Sequence, residues 1–126
     1  MTYLDKLMEE IAIATFEENI KIASFALIAD SGKIVYQTKN WDLSNQTNTI
    51  FDAVKGSKSF MLGGVKFSVK NAEPTSIVGI NESGMGSVLI ITIKGGLLIS
   101  YVMPGANTTS ALKFLQPYVK QINEKL

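Results

Sequence analysis

Two strongly apolar segments joined by Gly95-Gly96 constrain the fold more than any other feature of this sequence. Residues 87–94 and 97–103 both have the composition of buried β-strands, and the glycine pair between them is typical of a tight reversal. A third strand is predicted at 76–80, joined to the first by a glycine-rich, flexible turn at 82–86. Short connections of this kind pair successive strands antiparallel, so the second half of the chain predicts a meander.

The segment 60–71 is the fourth predicted strand of this meander, with Gly63-Gly64 as an interruption inside it. After the glycines, apolar and polar residues alternate, which is the period of a half-buried strand. One face should therefore pack on the core and the other should face solvent or a partner, since antiparallel sheets often leave one face wet. The apolar set is Val65, Phe67 and Val69, and the polar set is Lys66, Ser68 and Lys70.

The first half of the chain predicts a helix followed by a hairpin. The helix has one apolar stripe at the spacing i, i+3, i+4, i+7, and Thr2 is a candidate cap. Strands are predicted at 22–29 and 34–36, with a turn between them in which Gly32 can adopt positive φ. The stripe consists of Leu4, Leu7, Met8 and Ile11.

Two further helices complete the predicted fold. The shorter one should reach Val54 from a cap at Ser44 or Asn45. The longer one occupies 108–125, and Pro117 inside it should kink the helix or end it early. The order of helix, hairpin, helix, meander and helix predicts an α+β fold, with the N- and C-terminal helices packed on one face of a single antiparallel sheet.

The composition excludes several classes of function. Cys and His are absent, which removes disulfides, thiol nucleophiles, imidazole bases and the usual zinc ligands, so we predict no metal, cofactor or catalytic residue. All 12 basic residues are lysines spread along a chain of net charge +1, whereas nucleic-acid-binding proteins concentrate their basic residues. The apolar runs are too short for a membrane span and the N-terminus has no signal-peptide pattern, so residues 1–126 are expected to form one cytoplasmic domain.

Two candidate sites have a simpler structural interpretation. Residues 81–86 have the glycines of a phosphate loop, but that loop needs a following helix, and the predicted strand favours a hairpin turn. The aromatic residues Tyr3, Tyr36, Trp41 and Tyr118 could form a platform for a proline-rich peptide, although aromatic rings more often fill a core.

Several stretches of the sequence resemble the profilin family. Residues 62–69 (Leu-Gly-Gly-Val-Lys-Phe-Ser-Val) are similar to the profilin pattern Leu-Gly-Gly-x-Lys-aromatic-x-Val. Residues 84–86 and 91–94 resemble the family's glycine-rich turn and its Ile-Thr-Ile-Lys strand, and 3–8 and 101–126 resemble its first helix and C-terminal segment. The likeness covers nearly the whole chain, and its low overall identity favours a divergent, archaeal (Asgard) branch.

The resemblance implies a non-catalytic protein that binds the barbed-end face of an actin monomer and regulates filament assembly. It also implies binding of proline-rich peptides and, through scattered lysines, of phosphoinositides. Tyr3 matches one aromatic of the family's peptide platform, Tyr36 falls where the family has Trp in the second strand, and Tyr118 lies near Lys120, which stands at the position of the family's late aromatic. We transfer the family's actin contacts to the matching positions of this sequence, and we add Lys113 because it lies among them. The implied actin-binding set is Lys66, Ser68, Asn71, Asn81, Glu82, Val88, Asn107, Thr108, Ala111, Lys113 and Gln116.

A roadblock/longin-like scaffold is the alternative, because that family shares the layout of sheet and helices and pairs as a dimer to regulate small GTPases. The hairpin around Gly32 and the segment that contains Trp41 fit that family too. A homodimer would favour the scaffold and a monomer the profilin. We expect a monomeric, cytoskeleton-associated protein.

Overall fold

The computed structural model of the chain describes residues 3–38, 43, 45–62, 64–72 and 75–125. Within them the strands form one antiparallel sheet of seven strands, in the order β2-β1-β7-β6-β5-β4-β3, which confirms the predicted α+β class. The elements in chain order are α1 (Tyr3–Glu17), β1 (Ile22–Ala29), β2 (Ile34–Gln37), α2 (Thr47–Val54), β3 (Ser59–Leu62), β4 (Val65–Ala72), β5 (Ser76–Ile80), β6 (Ser87–Ile93), β7 (Gly96–Val102) and α3 (Thr108–Lys125).

The sheet has a hydrophobic core on each face, because its central strands are apolar on both sides. In β6, Leu89 and Ile91 pack with α1 and α3, whereas Val88 and Ile90 pack with α2 on the opposite face. The terminal helices therefore share one face, as predicted. Burial of large apolar side chains on both faces is the main contribution to folding free energy in such a layout.

The periodicity of α1 and the first hairpin are confirmed. Leu7, Met8 and Ile11 are buried against the sheet, while Thr2 and the side chain of Leu4 lie outside the described residues. Gly32 has a φ of +91° in the turn between β1 and β2, a conformation that glycine adopts without steric cost. None of the helices within the described ranges is long and apolar enough to cross a membrane.

The segment 60–71 forms two strands, so the prediction of a single interrupted strand was wrong. The chain reverses at Gly64, whose φ is +80°, and β3 then pairs antiparallel with β4. Gly63 lies outside the described residues. From sequence, a glycine inside an apolar run is equally compatible with a β-bulge and with a chain reversal. The structure shows a reversal, because Phe60 pairs with Phe67 across the hairpin.

The ends of α2 and α3 also differ from the prediction. Gln46 occupies the N-cap position of α2 without a capping hydrogen bond from its side chain, so Asn45 is not the cap, and Ser44 lies outside the described residues. Helix α3 continues past Pro117 to Lys125, so the proline does not end it early. Buried Val119 and Ile122, which follow the proline, pack on the sheet and stabilise the second half of this helix.

Candidate partner-binding surface

One part of the sheet face that carries the terminal helices is left uncovered. Helix α3 packs on β6 and β7 and beside α1, which packs on β1. Among the described residues, no member of β3 or β4 belongs to the core beneath these helices. The open strip is the set of exposed and half-buried side chains on this side of β3 and β4, together with the acidic residue next to them. It consists of Met61, Lys66, Ser68, Lys70 and Glu82.

The open strip combines an exposed apolar residue with paired charges. Met61 is opposite Lys66 in the β3–β4 register, and 50% of its surface is exposed. Neighbours across antiparallel strands point to the same face, so the methionine and the lysine present one surface. Large apolar side chains that remain exposed beside charged ones are typical of a surface that binds another protein.

A single carboxylate organises the charges of the open strip. Lys70 Nζ lies 3.0 Å from Glu82 Oε1. The hydrogen bond from Lys70 and then its charge lower the pKa of Glu82, helped by a hydrogen bond from Ser68 and by the charge of Lys66. Lys70 therefore holds the Glu82 carboxylate directly, and this carboxylate stays ionised at neutral pH.

The turn that carries Glu82 is held by side-chain hydrogen bonds. The Oδ1 of Asn81 accepts from the backbone N–H groups of Ser83 and Met85, both at 3.0 Å, and its Nδ2 donates to the carbonyl of Lys66 at 2.8 Å. The hydroxyl of Tyr101 donates to the carbonyl of Met85 at 2.6 Å. The prediction that 81–86 is a hairpin turn and not a phosphate loop is confirmed, because strand β6 follows it directly.

The predicted contacts in the C-terminal segment lie at the same end of the sheet as this turn. Ser87 pairs with Val102, so the turn before β6 and the segment after β7 leave the sheet together. Asn107 caps α3, because its Oδ1 accepts from the N–H of Ser110 at 3.0 Å. Asn107, Lys113 and Gln116 are exposed and Thr108 is half-buried.

Two of the predicted actin contacts have side chains that are buried inside the protein. Val88 has 0% exposure and points to the α2 face of the sheet, away from the open strip. Ala111 is 2% exposed beneath α3, in the core that this helix shares with α1. The side chain of Asn71 lies outside the described residues.

The open strip also includes residues that were not among the predicted contacts. Lys70 was recognisable, because it has the same alternation as Lys66 and Ser68. Met61 was not, because its place opposite Lys66 depends on the β3–β4 reversal.

The tyrosines predicted to bind proline-rich peptides lie on different elements around the helix-covered core. Tyr36 is half-buried on β2, where burial and then the carboxylates of Glu9 and Asp5 raise its pKa. Tyr118 packs against Phe114 within α3, with ring centroids 5.3 Å apart. The side chain of Tyr3 and the whole of Trp41 lie outside the described residues.

These features define a class: α+β domains in which two terminal helices cover part of one sheet face and leave a mixed apolar and charged strip beside them.

No family model matches the chain. Curated relatives do match it, and they are archaeal profilins, as predicted. Loki profilin-2 of Lokiarchaeum sp. (strain GC14_75) is 35% identical over 117 residues, or 84% of this chain and 86% of that protein. Loki profilin-1 of the same organism is 32% identical over 123 residues, or 89% and 90%.

Solved structures agree with the sequence relatives. LokiProfilin2, solved in a complex with rabbit actin, superimposes with a TM-score of 0.87 at 28% identity and covers 100% of both chains. LokiProfilin1 gives a TM-score of 0.86 at 26% identity, again over 100% of both chains. Profilin IB of Acanthamoeba castellanii shares the fold, with a TM-score of 0.72 at 15% identity over 86% of this chain and 90% of that chain.

The chain belongs to the profilin family. This assignment decides against the roadblock/longin-like alternative.

Proposed function

We propose that this profilin binds an actin monomer through the open strip and the exposed start of α3, and thereby regulates filament assembly without catalysing a reaction. The observation that carries the proposal is the uncovered face of β3 and β4, where Met61 and Lys66 are exposed side by side. LokiProfilin1 and LokiProfilin2 have both been solved in complexes with rabbit actin, which supports actin as the partner.

The mechanism would be steric and electrostatic. A specific protein interface buries about 1,600 Å² in total. A contact of that size over the barbed-end face of an actin monomer blocks nucleation and leaves the other end of the monomer free to add to a filament. The exposed lysines of the strip, Lys66 and Lys70, favour an acidic region of the partner.

The test is actin assembly followed by sedimentation and by pyrene fluorescence, with rabbit actin as the partner. The wild-type protein should slow nucleation and form a complex at tens of micromolar or below. The variant Lys66→Glu should weaken the complex by about tenfold or more, since it places a like charge in the interface. Lys33→Glu is the matched control, because Lys33 is exposed in the β1–β2 turn at the opposite edge of the sheet.

Loss of binding in both variants would show a dependence on net charge and not on the open strip. Absence of any effect of the wild-type protein on assembly, with no complex formed, would remove actin as the partner.

We also propose a cytoplasmic monomer with proline-rich peptides and phosphoinositides as secondary ligands. Tyr36 and Tyr118 are the two predicted peptide-binding tyrosines whose side chains are described, and both are half-buried. Phosphoinositides would compete with actin for Lys66 and Lys70, which are exposed on one strand. Titration with a polyproline peptide, and separately with phosphoinositide vesicles in the presence of actin, distinguishes these ligands.

A further inference from the structure

The side chains of β4 that face the open strip form an arrangement that fits one carboxylate. Lys70 Nζ is 3.0 Å from Glu82 Oε1, and Ser68 and Lys66 lie on the same face of β4 as the open strip. We propose that Lys66, Ser68 and Lys70 form a carboxylate-binding site within the actin-binding surface, which Glu82 occupies in the free protein and a carboxylate of actin occupies in the complex. The inference rests on the proposed function.

Glu82 is placed so that its side chain can leave the site without moving the backbone. Asn81 and Tyr101 hold the turn through hydrogen bonds that do not involve the Glu82 side chain. The Glu82 and Lys70 side chains are 68% and 49% exposed, and water screens exposed ion pairs, so this pair is easily exchanged. Because the turn is held in place and the Glu82–Lys70 pair is weak, another carboxylate can displace the Glu82 side chain from Lys70.

The charge of the strip decides the direction of the effect. With Lys66 and Lys70 positive and Glu82 negative, the strip has a net charge of +1. In the variant Glu82→Gln the same surface has a charge of about +2, and an acidic partner finds the lysines unoccupied. Glu82 is then an internal competitor for the site. If Glu82 instead contacted a basic residue of actin, the same substitution would weaken binding.

The experiment measures the dissociation constant and association rate for rabbit actin at low and high ionic strength. We expect Glu82→Gln to bind about twofold to fivefold more tightly at low salt, the range of an exposed ion pair. The gain should shrink at high salt, because screening weakens attraction between exposed charges. The matched control Glu10→Gln changes the same charge at an exposed position of α1 and should leave the affinity unchanged.

A second comparison tests whether the gain passes through the proposed site. Adding Lys70→Met to Glu82→Gln should abolish the gain, whereas Lys70→Met alone should cost less than it does in the Glu82→Gln background. In the free protein, NMR titration should show the pKa of Glu82 rising towards its ordinary value in Lys70→Met. An unchanged pKa in that variant would show that Lys70 does not hold the carboxylate in solution.

The outcomes separate this inference from the proposed function. Wild-type binding combined with unchanged or weaker binding of Glu82→Gln overturns the competitor role of Glu82 and leaves the actin-binding surface in place. An equal gain in Glu10→Gln also overturns it, since the effect would then come from net charge. Failure of both the wild-type protein and Glu82→Gln to bind actin removes both proposals.

Discussion

Phe60 and Phe67 stack across the β3–β4 hairpin, with ring centroids 5.6 Å apart and an interplanar angle of 24°. Both rings are buried on the α2 face, directly behind the exposed Met61 and Lys66. Gly79 of β5 leaves room for the Phe60 ring, since a Cβ there would lie 2.7 Å from that ring. The aromatic pair therefore fixes the backbone on which the open strip is built.

Replacing Phe67 with alanine should destabilise the protein by about 3–5 kcal/mol, because it removes a buried ring and leaves a cavity against Phe60. Urea unfolding measures the change. Met61→Ala, on the exposed face of the same hairpin, is the control and should change the unfolding free energy by less than about 0.5 kcal/mol. A loss below about 1 kcal/mol for Phe67→Ala would contradict the role given to the stack.

Gly86 is the glycine of the β5–β6 turn that has no room for a side chain. Its φ is +102°, and a Cβ would lie 2.6 Å from the carbonyl oxygen of Val102 and 2.7 Å from the Tyr101 hydroxyl. Gly86→Ala should cost about 3 kcal/mol through backbone strain and overlap together. Gly84→Ala is a matched control, because Gly84 has a φ of +83° with nothing within 4 Å, so only the backbone strain of about 1 kcal/mol applies.

Thermal unfolding of the two variants provides the comparison. Equal losses would show that the contacts with Val102 and Tyr101 are not tight in solution.

Much of the fold was predictable because its signals are local. The stripe of α1, the alternation of β4 and the Gly95-Gly96 connection each depend on residues close in sequence, and all three are confirmed. The face of a strand or helix on which a side chain lies depends more on contacts between residues that are distant in sequence. Val88 and Ala111 were predicted as contacts because they match family positions. A match in position does not reveal whether a side chain points into the core, as both of these do.

The open strip depends on pairing that sequence spacing does not reveal. Lys70 and Glu82 are twelve residues apart and meet because β4 and β5 pair with a shift of register between Val69 and Asn71. A bulge of this kind changes which side chains are neighbours, and no local motif marks it. The contact between Lys70 and Glu82 could therefore be found only in the structure.

Ser100 has a buried hydroxyl without a partner among the described residues. It lies in β7 with 0% exposure, and its Oγ makes no hydrogen bond within that part of the chain. A buried polar group without a partner costs about 1–3 kcal/mol. Ser100→Ala should therefore raise the free energy of unfolding by about 1 kcal/mol or more, as measured by urea unfolding. The control Ser31→Ala, at an exposed position in the β1–β2 turn, should leave the free energy of unfolding unchanged. A loss of stability in Ser100→Ala would indicate that the Ser100 hydroxyl has a partner in solution.

Tyr36 should titrate above its ordinary pKa of 10.0, because burial and the carboxylates of Glu9 and Asp5 disfavour the phenolate. A raised pKa in the folded state contributes stability that is fully present below the unfolded value and is lost as the pH rises through the folded one. Stability should therefore fall in alkaline solution, and less steeply in Tyr36→Phe. NMR titration of the ring should show that Glu9→Gln lowers the pKa of Tyr36, whereas Glu10→Gln, its neighbour on α1, does not. A midpoint unmoved by Glu9→Gln would contradict the proximity of that carboxylate, and with it the arrangement in which α1 faces Tyr36.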